Sequence, residues 1–408
     1  MKCRHCQSPL DLSLIDLGTA PPSNAYLTDA CLNRPERWFP LRVLICTSCW
    51  LVQTEDFAQA EELFDAKYAY FSGFSTSWLA HSERYVNAMV ERFKLDTRSH
   101  VVEVAANDGY LLQYVKAAGV PCTGVEPTRE TADAARARGI PIVEAFFGRA
   151  MAERMVADGQ AADLTAANNV LAHVPDINDF VAGFAVLLKP DAVATFEFPH
   201  LMRLIDENQF DTIYHEHFSY LSLTAVDAVF TKNGLSVFDV EQLPTHGGSL
   251  RVYAQRSDTG KRPTEPVVAS LLRQERDAGM TTSRYYAGFQ NRAETVKNDL
   301  LGFLLEAKAM GKTVAGYGAA AKGNTLLNFA GVRPDLVPFV VDRNPAKQNK
   351  FMPGSRIPIV SEHRLHEARP DHIVILPWNL REEITQHLAY ARQWGAEFVT
   401  AVPSLRID

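Results

Sequence analysis

Apolar and polar positions change period several times along this chain. Ser99-His100-Val101-Val102-Glu103-Val104 is a short, nearly continuous apolar run and predicts a buried strand. A turn of small and polar residues follows, Ala105-Ala106-Asn107-Asp108-Gly109, and a helix starts in Tyr110-Leu111-Leu112-Gln113-Tyr114-Val115. Cys122-Thr123-Gly124-Val125 reads as a second strand with an acid, Glu126, at its end, and Ala162–Ala167 as another. Further on, Phe289, Ala293, Val296, Leu300, Phe303 and Leu304 recur at helical spacing, which predicts core packing or a strut between domains. Thr313–Gly316, Val337–Val341 and His372–Leu376 are again strand-like, and Asp342 closes the second of them. Strands alternating with helices predict parallel sheets, here two in series.

Composition narrows the classes. A length of 408 residues suits two to three domains, and 47% hydrophobic with 22% charged residues suits a globular chain. The 41 basic and 48 acidic side chains leave a net charge of -7, which argues against nucleic acid as a general partner. No apolar run approaches membrane-spanning length, so no membrane partner is expected. The start, Met1-Lys2-Cys3-Arg4-His5-Cys6, lacks the apolar core of a secretory signal. The expected compartment is the cytoplasm, where paired cysteines bind metal more often than they form disulfides. Nothing suggests a large exposed apolar stripe, and a monomer is expected.

Four of the six cysteines form two CxxC pairs, Cys3/Cys6 and Cys46/Cys49. A CxxC turn presents two thiolates from one tight loop, and a tetrahedral zinc ion takes four such ligands. Two unrelated thiol pairs or a redox CxxC are the alternatives. With four thiolate ligands no position remains for substrate, so the zinc is expected to be structural. Cys31 and Cys122 are expected to be small buried residues.

The strand–turn–helix at 99–115 followed by Glu126 can hold a nucleoside. The small-residue turn lets a ligand approach the backbone, and an acid after the second strand can accept both ribose hydroxyls. Glu126 lies 23 residues beyond Glu103. A dinucleotide would suit the same geometry. Two details favour S-adenosylmethionine: the acid Glu103 on the first strand, and a turn with a single glycine, Gly109, since this donor has no pyrophosphate. The cofactor set is therefore Glu103, Asn107, Gly109, Glu126, Phe147 and Asn168, the last opening Asn168–Asp176 where such folds close the donor pocket.

The most unusual stretch is Phe210–Tyr220, in which Tyr214-His215-Glu216-His217-Phe218-Ser219-Tyr220 packs two histidines, an acid and two tyrosines into seven residues. Histidine is the natural base near neutral pH, a nearby carboxylate can orient it, and a tyrosine hydroxyl can donate to a developing oxyanion. His215 and His217 lack the HExxH spacing of a catalytic metal helix. A polar loop that satisfies its own hydrogen bonds is the alternative.

The CxxC…CxxC start, the Glu103–Gly109 turn and the Tyr214–Tyr220 segment together resemble the sugar C-methyltransferase family. His246-Gly247-Gly248-Ser249-Leu250-Arg251 and Gly316-Tyr317-Gly318-Ala319-Ala320-Ala321-Lys322 extend the resemblance over nearly the whole chain. The resemblance implies methyl transfer to a ring carbon, C-3, of a nucleotide-linked 4-keto-6-deoxy sugar. It implies His217 as base, Tyr214 assisting, Glu216 between them and His173 lining the site. It also implies that the Tyr-x-Tyr-x-Ser segment at 68–72, with Tyr70 and Ser72, closes over the donor. Ala105 departs from the family, which often has glycine there.

Gly316-x-Gly318-x-x-Ala321 with Asp342 also fits an NAD fingerprint. The alternative class is therefore an NAD-dependent nucleotide-sugar oxidoreductase or epimerase; a nucleotide-sugar binding protein is a non-enzyme alternative. Lys322, Asn324, Arg343 and Asn379, with His246, are instead expected to hold the substrate in a cleft between the donor and C-terminal domains. The expected fold is α/β: a small zinc-binding domain (1–65), a Rossmann-like class I methyltransferase domain (66–255) and a C-terminal Rossmann-like domain that binds the nucleotide-sugar (256–408).

Overall fold

The computed structural model describes residues 1–57 and 72–408. Compactness divides the chain into two units, neither of them one continuous stretch. The first comprises Met1–Leu12, Ile45–Met202 and Phe218–Tyr285; the second Ser13–Leu44, Arg203–His217 and Tyr286–Asp408.

The first unit is built on a sheet of strands β1 (Val101–Val104), β2 (Cys122–Val125), β3 (Ile142–Val143), β4 (Ala162–Asn168), β5 (Leu188–Pro199), β6 (Leu235–Leu243) and β7 (Ser249–Arg256). Their order is 3-2-1-4-5-7-6. Strands β1 to β5 pair in parallel, and β7 is inserted antiparallel between β5 and β6. The chain builds outward from β1 to β3, then crosses to the other side of β1 for β4. That reversal opens a crevice at the carboxyl ends of β1 and β4, the usual place for a ligand in such sheets. The helix Thr76–Phe93 covers one face. Its start is capped by Ser75, which accepts from the Trp78 N–H at 3.3 Å, and it ends on Lys94 at φ +53°. Tyr85, Val86 and Met89 on its buried face join Val101, Leu112, Val115 and Tyr253 in one core.

The second unit carries a sheet of β8 (Val314–Tyr317), β9 (Val340–Val341), β10 (Ile359–Val360), β11 (His372–Ile375), β12 (Glu397–Thr400) and β13 (Arg406–Ile407), in the order 10-9-8-11-12-13. All neighbours are parallel except β12 and β13. The predicted strand Val337–Val341 shrinks to two paired residues, because Pro338 has no N–H to give the ladder. The helix carrying the predicted stripe is Phe289–Ala309, preceded by Pro266–Asp277 and Ser283–Tyr286, with Gly279 and Gly288 in left-handed conformation at the breaks. The apolar stripe is mostly core: Phe289, Ala293, Val296, Leu300 and Leu304 are buried. Among the described residues no helix is long and apolar enough to cross a membrane.

Candidate active site and metal centre

The four thiols converge. The Sγ atoms of Cys3, Cys6, Cys46 and Cys49 all lie within 4.8 Å of one another, with Cys3–Cys49 at 3.6 Å and Cys6–Cys46 at 3.4 Å. A zinc–sulfur bond of about 2.3 Å sets tetrahedral sulfur–sulfur edges of about 3.8 Å, so the set fits zinc. The two residues inside the first CxxC fasten this knuckle to the donor unit. The Arg4 guanidinium donates to the carbonyls of Pro175 and Thr54, both at 3.0 Å, pairs with Asp56 at 2.7 Å and lies over the Phe218 ring. Asn178 donates to the carbonyls of Arg4 and His5, and Lys232 donates to His5 as well. Val52–Thr54, just after the second CxxC, pairs with Ser219–Tyr220, and the Phe218 N–H donates to Ala172, the residue before His173.

The turn after β1 borders the crevice. After β1 the backbone takes left-handed conformation at Ala105 (φ +60°), Asn107 (+49°) and Gly109 (+76°). Gly109 suits its left-handed position, and a Cβ there would press on the Ile140 side chain. The Glu126 carboxylate accepts from the N–H groups of Asn107 at 2.9 Å and Thr128 at 3.0 Å and from the Thr128 hydroxyl. It thus fixes the turn, and lone pairs remain for ribose hydroxyls. Ser72 N–H donates to the Asn107 side chain at 2.9 Å. Glu103 is wholly buried. Burial pushes its carboxyl well above the usual range, and hydrogen bonds from Tyr110 and Leu112 offset this only in part. Asn168 Oδ1, at the end of β4, is buried and has no hydrogen-bond partner among the described residues. A buried carboxyl and an open buried amide oxygen fit the ammonium and hydroxyl groups of S-adenosylmethionine. Phe147 sits differently: its ring packs on Phe180 and Phe184, and its neighbour Phe146 is the exposed one. Tyr68, Tyr70 and Phe71 lie outside the described residues.

The histidine-rich segment belongs to the second unit as far as His217. His217 Nδ1 is 2.8 Å from the Thr212 carbonyl, which can only accept, so Nδ1 carries the proton and Nε2 the basic lone pair of the neutral ring. The Tyr214 ring lies against it, with centroids 3.9 Å apart. Glu216 is buried and accepts from Asn24 Nδ2 at 2.5 Å. His215 turns away: its Nε2 meets the carbonyls of Phe39 and Pro40 at 3.3 and 3.2 Å, and burial holds the ring below its ordinary pKa despite them. It is a buried packing residue, unlike His217 in its contacts.

Around the glycine turn, Lys322 donates to Asn379 at 2.7 Å and lies over the Trp378 ring. Trp378 donates to buried Asp211, whose carboxyl is pushed up to about 6, chiefly by burial, with Lys322 pulling the other way. Asn324 is buried and donates to the Ser23 carbonyl at 2.6 Å, while Arg343 is exposed. Sequence reading passes over Asn24, Asp211 and Thr212. Pro21–Asn24 carries only a turn signal, and nothing in it announces a partner 192 positions away.

Three family descriptions match in succession: "Putative zinc binding domain" over residues 3–64, "Methyltransferase domain" over 78–240 and "C-methyltransferase C-terminal domain" over 244–403. Over 406 residues the chain is 35% identical to C-methyltransferase NovU of Streptomyces niveus, covering 100% of this chain and 96% of that protein. The chain belongs to the C-methyltransferase family. Among solved structures it is similar to magnesium protoporphyrin IX methyltransferase of Synechocystis PCC 6803 with bound S-adenosylmethionine (15% identity, TM-score 0.33, 44% of this chain and 79% of that one). It is also similar to the PH0226 protein of Pyrococcus horikoshii OT3 (13% identity, TM-score 0.37, 50% and 100%). The enzyme is an S-adenosylmethionine-dependent C-methyltransferase with a four-cysteine cluster consistent with zinc.

Proposed function

We propose that the enzyme methylates C-3 of a nucleotide-linked 4-keto-6-deoxy sugar, with His217 as the base. One observation carries the mechanism: the Thr212 carbonyl holds the proton of His217 on Nδ1 and leaves Nε2 to accept another. The keto group acidifies the neighbouring C–H. His217 Nε2 takes that proton, and the Tyr214 hydroxyl donates to the enolate oxygen as charge develops. Asn24 holds Glu216 in place beside this pair in sequence. Glu103, Asn107, Gly109, Glu126 and Asn168 would hold the donor. When bound, S-adenosylmethionine supplies a methyl group already activated by its positive sulfur, so the residues have positioning and proton removal as their tasks.

The glycine turn of the second unit argues against the nicotinamide alternative. Asp342, the acid such a site would offer to a ribose, accepts from the Ala319 N–H at 2.7 Å and the Asn344 N–H at 2.8 Å and keeps lone pairs as Glu126 does, so the case rests on the crowding of the turn itself. The Ala319 carbonyl takes bonds from the Tyr26 hydroxyl at 2.6 Å and Lys347 at 2.8 Å. Gly318 is pressed against Pro377, where a Cβ would come within 2.5 Å. Supporting the sugar reading are the family and the keto chemistry that a single well-placed base can serve. The test is His217→Asn, assayed against dTDP-, GDP- and UDP-linked 4-keto-6-deoxyhexoses. Methyl transfer should fall by at least about a thousandfold, within the range of a lost general base, while calorimetric binding of S-adenosylmethionine stays unchanged. Loss of donor binding instead would place the segment in the donor pocket.

A further inference from the structure

The first unit buries a group of charges that the mechanism above does not use. Glu197, on β5, is wholly buried. Its Oε2 is 2.9 Å from His81 Nε2, on the helix Thr76–Phe93, and accepts from Arg251 Nη2 at 2.9 Å. Arg251 stands directly across from Glu197 in the β5–β7 register and from Glu241 in the β6–β7 register, and it reaches Glu241 at 3.0 Å. Burial alone would raise the Glu197 carboxyl, but the His81 bond and the Arg251 charge outweigh it and hold it below the usual range. An ion pair this deep gains little net stability over a well-packed apolar core, so a specific task is worth seeking.

The other oxygen of Glu197 shows where the group acts. Oε1 accepts from the Thr245 hydroxyl at 3.0 Å. Thr245 opens a turn in which His246 (φ +55°), Gly247 (+87°) and Gly248 (+110°) are successively left-handed. Such a backbone is unfavourable for a histidine and persists only where its surroundings over-determine it. Here they do. Ser249 Oγ donates to the Thr245 carbonyl at 2.9 Å, the His200 N–H to the Gly248 carbonyl at 3.0 Å, and the Trp78 ring contacts those of both His81 and His246. Asn169 Nδ2 donates to His246 Nε2 at 3.2 Å, and Asn169 follows the last residue of β4, at the carboxyl end that borders the donor crevice. With Nε2 accepting, the proton of neutral His246 sits on Nδ1.

We infer that His81, Glu197 and Arg251 form a buried positioning cluster, acting through Thr245 to fix His246 as a hydrogen-bond donor to an oxygen of the methyl acceptor. This rests on the proposed sugar reading for the identity of that acceptor. The arrangement of His246 itself does not.

The test uses the full zinc-loaded chain in four forms: wild type, Thr245→Val, Thr245→Ser and Glu197→Gln. Thr245→Val removes the hydroxyl without changing side-chain shape, and Thr245→Ser restores it. Histidine 15N NMR, with His246 assigned through His246→Gln, should show the Nδ1–H tautomer in wild type and Thr245→Ser. Thr245→Val and Glu197→Gln should shift those resonances or broaden them into exchange. With any nucleotide-linked 4-keto-6-deoxyhexose that turns over, Thr245→Val should raise the acceptor KM by about tenfold, the size of one lost hydrogen bond. Serine should rescue it, and the Kd for S-adenosylmethionine should not move. Unchanged His246 resonances in both Thr245→Val and Glu197→Gln would overturn the inference and leave the cluster as core packing. Absence of turnover with every sugar tested would overturn the sugar reading alone, since the NMR arm needs no acceptor.

Discussion

At the scale of single residues, environment separates groups that look alike in the sequence. His215 and His217 are two positions apart. One meets carbonyls in a buried pocket that holds its pKa down; the other gives its Nδ1 proton to the Thr212 carbonyl. Asp211, four residues before His215, carries a measurable signature. Its carboxyl titrates at about 6, raised by burial against an ordinary value of 3.8. Between these values the folded chain keeps a proton that the unfolded chain has lost, so stability falls as pH rises from about 4 to about 6 and is then level. The contribution is roughly 3 kcal/mol. Asp211→Asn, which can still accept from Trp378, should flatten that part of a urea-denaturation profile. An identical pH dependence in the variant would show that Asp211 is ionised throughout. Residue types alone announced a dense titratable segment, and they placed Glu103, Glu126 and the four cysteines. They could not announce Thr212, because a backbone carbonyl has no letter of its own, nor Asn24, whose partner is set by long-range packing. Ala105 is instructive in another way: its left-handed φ is the physical reason a glycine suits that turn.

At the scale of elements, periodicity placed β1, β2, β4, β8, β9 and β11 and passed over the other strands of the two sheets, the long β5, β6 and β7 among them. It overran β9, where Pro338 acts locally. It was silent on the zinc knuckle's second task. The CxxC spacing announces a metal, but the contacts of Arg4 and His5 show a brace that ties the knuckle to the Pro175 segment and the Phe218 ring, each next to a site residue or close to one. Arg4→Leu keeps all four thiols and should therefore keep one zinc per chain by elemental analysis. It should nonetheless destabilise the chain by about 2–4 kcal/mol in urea denaturation, since it leaves buried carbonyls without their charged donor. Full stability in this variant would reduce the brace to incidental contact.

At the scale of the whole molecule, three consecutive domains were the natural reading of the pattern. Three family descriptions follow one another along the chain in that order, and compactness groups residues 13–44 and 203–217 with the C-terminal sheet, so the 105–109 turn lies in one unit and Tyr214, Glu216 and His217 in the other. Periodicity is blind to this, because it reports which face of an element is buried and not against what. Under the proposed mechanism, the residues assigned to the donor belong to one unit and the proposed base to the other. The most direct test of that account is hydrogen exchange at the acceptor carbon. A nucleotide-linked 4-keto-6-deoxyhexose is incubated in deuterated water with the enzyme and the demethylated donor, and C-3 is followed by proton NMR. The wild type should exchange that proton well above the uncatalysed background, and His217→Asn should not. Exchange that persists in His217→Asn would contradict the assignment of the base and return the search to the other titratable groups of the site.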